Sequence, residues 1–149
     1  MEIKTHPPMT VLYSSHRTTL NTLSQYVGTV LKDLLAEAAD QKALISGPVY
    51  WIYRGADGNP ETEFTLEIAL PVQWLSSSEK FGVKQLPAFK SLAQEHIGPW
   101  DQLPAVYGQL LNYIDERKIA MNDECREIYV NIDFQDPANN ITTVQMGVL

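Results

Sequence analysis

The sequence predicts an α+β domain built from two βαββ units around a pseudo-twofold axis. Three observations predict it. The second half restates the first at a shift of 80 residues, each half carries one amphipathic helix, and two alternating strands follow each helix. At that shift Leu12 falls on Leu92, His16 on His96, Leu23 on Leu103, Leu31 on Leu111 and Ile52 on Ile132. The halves so defined span about 1–75 and 81–149, and the whole reads as a single domain.

Each element has a local reason. Met9 to Ser14 is a short strand. From about Leu20 to Lys42, Leu20, Leu23, Tyr26, Val27, Val30, Leu31, Leu34, Leu35 and Ala38 recur at the helical period. Ser46-Gly47-Pro48 breaks that helix, Val49 to Arg54 is extended, and Ala56-Asp57-Gly58-Asn59-Pro60 turns the chain into a strand from Glu63 to Pro71. After a polar linker, Ser76–Lys80, the order repeats. Lys84 to Leu92 is a strand. His96–Asp101 is a loop, and a helix runs to about Lys118 with Leu103, Val106, Tyr107, Leu110, Leu111 and Ile114 on one stripe. Glu127 to Phe134 and Thr142 to Leu149 are strands, separated by a turn at 136–140. The simplest assembly is an antiparallel sheet with both helices on one face and a ligand cleft on the other.

Composition narrows the function. The 149 residues carry 18 acids against 11 Lys and Arg, a net charge of −7, which argues against direct nucleic-acid binding and against an anionic membrane surface. A lone cysteine, Cys125, excludes an internal disulfide or a Cys-cluster metal site, and neither metal nor cofactor is expected. No h-region or membrane span is visible in these residues, so the cytoplasm is the expected compartment. His16 and His96 sit at strand-to-helix turns, where local hydrogen bonds account for them without a metal. Arg126 beside Cys125 would lower the thiol's pKa, but no base partner is evident, so a structural role is expected for Cys125.

Strand alternation assigns the faces. Phe64, Leu66, Ile68 and Leu70 face the helices, and Thr65, Glu67 and Ala69 face away. Ile128, Val130, Ile132 and Phe134 are read the same way, leaving Glu127 and Tyr129 outward. Val49–Arg54 is apolar on both sides. The repeat matches Tyr50 and Ile52 to Val130 and Ile132, so Val49, Trp51 and Tyr53 are placed outward. The free face thus collects Trp51, Tyr53, Glu67, Glu127 and Tyr129, with Trp100 either capping the core or rimming the cleft. Aromatic rings edged by a carboxylate suit a flat or cationic organic ligand. A plain solvated sheet face would hold the same residue types.

The pattern resembles the GyrI-like small-molecule-binding family, also called the AraC-type effector-binding domain. The resemblance rests on Leu86-Pro87-Ala88, on His96-Ile97-Gly98-Pro99-Trp100, on Tyr107-Gly108-Gln109-Leu110-Leu111, and above all on Arg126-Glu127-Ile128-Tyr129-Val130. Gly47-Pro48, Tyr50-Trp51-Ile52-Tyr53 and Glu67 through Val72 extend it into the first half. It implies a duplicated βαββ fold and a hydrophobic cleft with an acid at its base, matched here by Glu127. Asn122–Arg126 departs from the family's short Gly-Pro turn. The resemblance implies a stand-alone bacterial binder of aromatic or lipophilic-cationic molecules. Such a protein would be a monomer or homodimer, with a separate regulator protein as a possible partner. One alternative is a hydrolase opening cyclopropane-containing alkylating compounds, with Glu127 as general base and Tyr53 or Tyr129 donating to the developing phenolate. A second alternative is a protein-binding module of the gyrase-inhibitor kind.

Overall fold

The computed structural model describes residues 1–149. Nine strands form one curled antiparallel sheet: β1 (Glu2–His6), β2 (Met9–Thr18), β3 (Leu44–Ile45), β4 (Tyr50–Arg54), β5 (Phe64–Gln73), β6 (Gly82–Leu86), β7 (Phe89–Ile97), β8 (Met121–Asn131) and β9 (Ile141–Val148). The order is β1-β7-β9-β8-β4-β5-β2-β6, with β3 paired to β5. Helices α1 (Thr29–Asp40) and α2 (Leu103–Glu116) each follow a 3₁₀ segment, Leu20–Tyr26 and Trp100–Gln102.

The ends of this sheet meet. Glu2 faces Ala93 and His6 faces Phe89; past Pro7-Pro8 and Pro87-Ala88 the same register resumes, with Met9 facing Leu86 and Tyr13 facing Gly82. Residues 2–13 and 82–93 are therefore one ribbon bent at paired breaks, where proline lacks the N–H for a ladder bond. The ribbon ties the two ends of the sheet together and curls it.

The duplication is real, but it is not gapless. Up to β2 and β7 the halves match at a shift of 80. From the helices onward they match at 76. Lys42 and Lys118, which close the two helices in the left-handed conformation at φ 57° and 52°, are 76 residues apart. In each case the next residue's N–H returns to the helix, Ala43 to the Ala38 carbonyl and Ile119 to that of Ile114, a closing turn that satisfies an orphan carbonyl. The four-residue difference lies in the 3₁₀ segments, seven residues long in the first half and three in the second. Leu31 therefore corresponds to Tyr107, not to Leu111.

The core lies mainly between helices and sheet. Leu34 and Ala38 of α1 pack on Leu12, Leu66, Ile68 and Leu70, and on Val49, Trp51 and Tyr53. Leu103, Val106, Leu110 and Ile114 of α2 pack on Leu92, Val144 and Val148.

This reverses the expected orientation of β4. Trp51 pairs with Ile68 and Tyr53 with Leu66, so both share the helix-facing side of β5. Tyr50 and Ile52 face the inside of the curl, where Ile52 joins Val11, Ala69 and Leu86 in a second small core. Ile128 pairs with Tyr50 and is buried on that same inner side, so it is apolar without meeting a helix. Residues 122–126 are extended and belong to β8, which carries a bulge between Met121 and Cys125. A second irregularity between Tyr129 and Asn131 resets the alternation, so Ile132 and Phe134 turn to the same side as Glu127.

Candidate functional site

A cleft of about 240 Å³ opens on the helix-bearing face, not on the opposite one, and lies between the two halves. Its floor is strand-borne: Trp51 and Tyr53 from β4, Glu127 and Tyr129 from β8. One wall comes from the longer 3₁₀ segment and the start of α1, through Leu23, Tyr26 and Leu31. Trp100 and Leu103 from the second half form the other wall, and Ile132 and Phe134 close the rim. Twelve of the fourteen lining residues are hydrophobic, and Glu127 is the only charged one.

Glu127 is held by three phenols. Tyr53 donates to Oε1 at 2.9 Å, Tyr129 donates to the same oxygen, and Tyr107 donates to Oε2 from α2. Burial pushes the Glu127 carboxyl above its ordinary pKa, and the three hydroxyl donors pull partly against that rise. Burial first, then the neighbouring carboxylate, pushes Tyr53, Tyr107 and Tyr129 well above the usual phenol range, so all three keep their protons. The rings stand edge to face. Trp51 lies 5.8 Å from Tyr129 at 78°, and Trp100 lies 5.6 Å from Tyr129 at 74°. Trp100 also meets Phe134 at 5.9 Å. Edge-to-face pairs of this kind are a favoured packing of aromatic rings.

Of the expected site residues, Trp51, Tyr53, Trp100, Glu127 and Tyr129 line one cavity. Glu67 does not. It points into the curl, where it pairs with Arg54 and Lys84 at 2.6 Å each. Arg54 continues to Glu124 at 2.8 Å, and Glu124 to Arg126 at 2.7 Å, so five charges form a chain on the far side of the sheet. Arg126 spends its charge there, stacked on Phe89, and cannot serve Cys125. Burial and Glu127 push the Cys125 thiol up to about 12, the reverse of an activated cysteine. His16 and His96 bond locally, His16 to Ser14 at 2.7 Å and His96 to the Pro99 carbonyl at 3.3 Å. No group of three or more metal-ligating side chains is present.

Tyr107 is the partner of Glu127 that the strand pattern did not supply. Its signal was available. A phenol on an otherwise aliphatic helix stripe needs a buried acceptor, and Glu127 supplies it across the helix–sheet interface.

The sequence profile of the GyrI-like small molecule binding domain matches residues 1–148. The chain belongs to the GyrI-like family. Comparison with curated protein sequences finds no match. Among solved structures, the EcmrR C-terminal domain superposes with a TM-score of 0.82 at 19% identity, covering 99% of this chain and 96% of that one. EcmrR in a DNA complex gives 0.83 at 17%, covering 99% of this chain and 56% of that one, so this GyrI-like chain spans little more than half of that protein. SAV2435 bound to tetraphenylphosphonium gives 0.67 at 14%, with 99% and 93% covered. A hydrolase encoded by lin2189 from Listeria innocua gives 0.72 at 11%, with 99% and 91% covered. At these identities the likeness is one of fold, a curled antiparallel sheet with few helices. No helix of this GyrI-like domain is long and apolar enough to cross a membrane.

Proposed function

We propose that this chain binds flat or lipophilic organic cations in the aromatic cleft, with the Glu127 carboxylate neutralising their charge. One observation carries the reading: a single buried carboxylate, held by three tyrosine hydroxyls, is the only charge in an otherwise apolar cavity. The hydroxyls fix its position in advance, so little reorganisation is needed when a cation arrives. A desolvated ion pair at about 4 Å is worth up to about 4 kcal/mol at an effective dielectric near 20. The ring walls discriminate weakly by shape, so selection falls mainly on charge. The chain's resemblance in fold to a tetraphenylphosphonium-bound protein supports the same reading. Calorimetric titration with tetraphenylphosphonium tests it. Glu127→Gln should weaken binding at least about tenfold while triphenylphosphine oxide, neutral and similar in shape, changes by less than about twofold. Equal tetraphenylphosphonium affinity in the two proteins would overturn the proposal.

The raised pKa of Glu127 favours a second reading, hydrolysis of cyclopropane-containing alkylating compounds. A desolvated carboxylate is a competent general base: it would take a proton from water as the water oxygen bonds to a cyclopropane carbon, the ring C–C bond breaks and its electron pair passes to the conjugated oxygen that becomes the phenolate, toward which Tyr53 or Tyr129 would turn its one hydroxyl proton from Glu127. A ring-opened product that forms with the native protein and not with Glu127→Ala would select this reading over binding alone.

A further inference from the structure

The three hydroxyls around Glu127 leave one place unfilled. An ionised carboxylate has about four acceptor positions, shared equally between its oxygens. Tyr53 and Tyr129 fill both positions on Oε1, and Tyr107 fills one on Oε2. No other donor of the chain bonds to the group. The second position on Oε2 is therefore open, on a side chain that lines the cleft.

Each phenol carries a single proton, and all three protons are committed to the carboxylate. What the hydroxyls offer an incoming molecule is oxygen lone pairs. Glu127, Tyr53 and Tyr129 thus present acceptors to the cleft. The negative charge is also unbalanced. Glu127 takes part in no ion pair, because Arg54, Lys84 and Arg126 are committed to Glu67 and Glu124 inside the curl.

We propose that the cleft selects protonated nitrogen bases, cations that carry an N–H donor, over quaternary onium cations of similar size, with the N–H donating to Oε2 of Glu127. The inference rests on the cation reading above and narrows it to a ligand class. A quaternary cation brings charge and apolar area, but its methyl groups hold the charge off and leave the Oε2 position dehydrated and unmatched. An N–H cation supplies the fourth bond and brings its charge to hydrogen-bond distance. Tertiary ammonium groups and protonated ring nitrogens, with one N–H each, match the one open position. The amine gives up a bond to water on entry, so the gain expected is the lower end for a charged hydrogen bond, about tenfold in affinity.

A cavity of about 150 Å³ holds benzene, so a cleft of about 240 Å³ suits a two-ring probe. The test pair is dimethyl(naphthylmethyl)amine, cationic at neutral pH, and its N-methylated quaternary salt. They share charge and ring, and one has N–H where the other has N–methyl. Calorimetric titration of the native chain should show the tertiary ammonium bound about tenfold tighter. In Glu127→Gln, which keeps the space and loses the charged acceptor, the preference should fall below about threefold. A preference that persists there would reflect the bulk of the added methyl and would overturn the proposal. Equal or tighter binding of the quaternary salt by the native chain would overturn it too, as would failure of both amines to bind a chain that binds tetraphenylphosphonium. Tetraphenylphosphonium has no N–H and separates the two inferences. If its affinity falls in Glu127→Gln while the amine pair shows no preference, the charge reading stands and the N–H reading is lost. If its affinity is unchanged in Glu127→Gln, both are lost.

Discussion

The Tyr107 hydroxyl reaches from α2 to Glu127 Oε2 on β8, so the helix layer and the sheet floor are joined through a buried carboxylate. Two further phenols complete the cage from within the sheet, and each has a separable consequence.

Tyr107→Phe removes one of three donors that favour the ionised acid. The Glu127 pKa should rise further above its ordinary value, and the acid limb of cation binding should move to higher pH. A hydrogen bond to a charged group is worth about 1.5–3 kcal/mol, so chemical denaturation at neutral pH should show a loss of that order.

Cation affinity in the native protein should itself depend on pH. Glu127 takes up its proton at a higher pH than a free glutamate, because burial raises its pKa from 4.5. Tetraphenylphosphonium titrations at successively lower pH should therefore show affinity falling before the ordinary carboxylate range is reached, approaching about tenfold per pH unit on the acid side. A flat profile down to the ordinary range is the contrary outcome.

The same shift acts on stability with a definite sign. An acid whose pKa is higher folded than unfolded stabilises the fold when protonated, fully below the unfolded value of 4.5, and that contribution is lost as pH rises through the folded value. Glu127→Gln removes the cost of the buried charge. Its Tm should exceed that of the native protein at neutral pH, and the difference should vanish in acid. This is the stability that a preformed cation site gives up.

Glu67→Gln should behave in the opposite way. Burial raises the Glu67 pKa, but Lys84 and Arg54 outweigh it and hold the group below its ordinary value. Its contribution is present above the unfolded pKa of 4.5 and lost as pH falls through the lower folded value. The variant should lose about 1–3 kcal/mol at neutral pH, and its tetraphenylphosphonium affinity should stay within about twofold of the native value. A large affinity loss would mean that the charge chain inside the curl controls the cleft.

These contrasts show how far the amino-acid pattern reaches. Phe64, Leu66, Ile68 and Leu70 alternate with the smaller or polar Thr65, Glu67 and Ala69, and their face was legible. Tyr50 through Tyr53 are apolar on both sides because both sides are buried, one under α1 and the other inside the curl. Alternation distinguishes wet from dry, not one dry side from another. Trp51, Tyr53, Glu127 and Tyr129 share one face because one parity governs paired strands. Glu67 was grouped with them because the curl was not visible. Bent ribbons depend on pairings across some 80 residues, which no local pattern encodes. The four-residue length difference was hidden for a similar reason: Leu23 with Leu103 and Leu31 with Leu111 are identities at the wrong offset.

The ribbon has one more consequence. Each half lends its leading strand to the other, so neither half holds a finished hydrophobic interior alone. The joint they share is what two identical, unlinked polypeptides would use to assemble around a twofold axis. Cut at Ser76–Lys80, this protein should behave as an obligate pair of fragments, each recruiting the other or failing to fold.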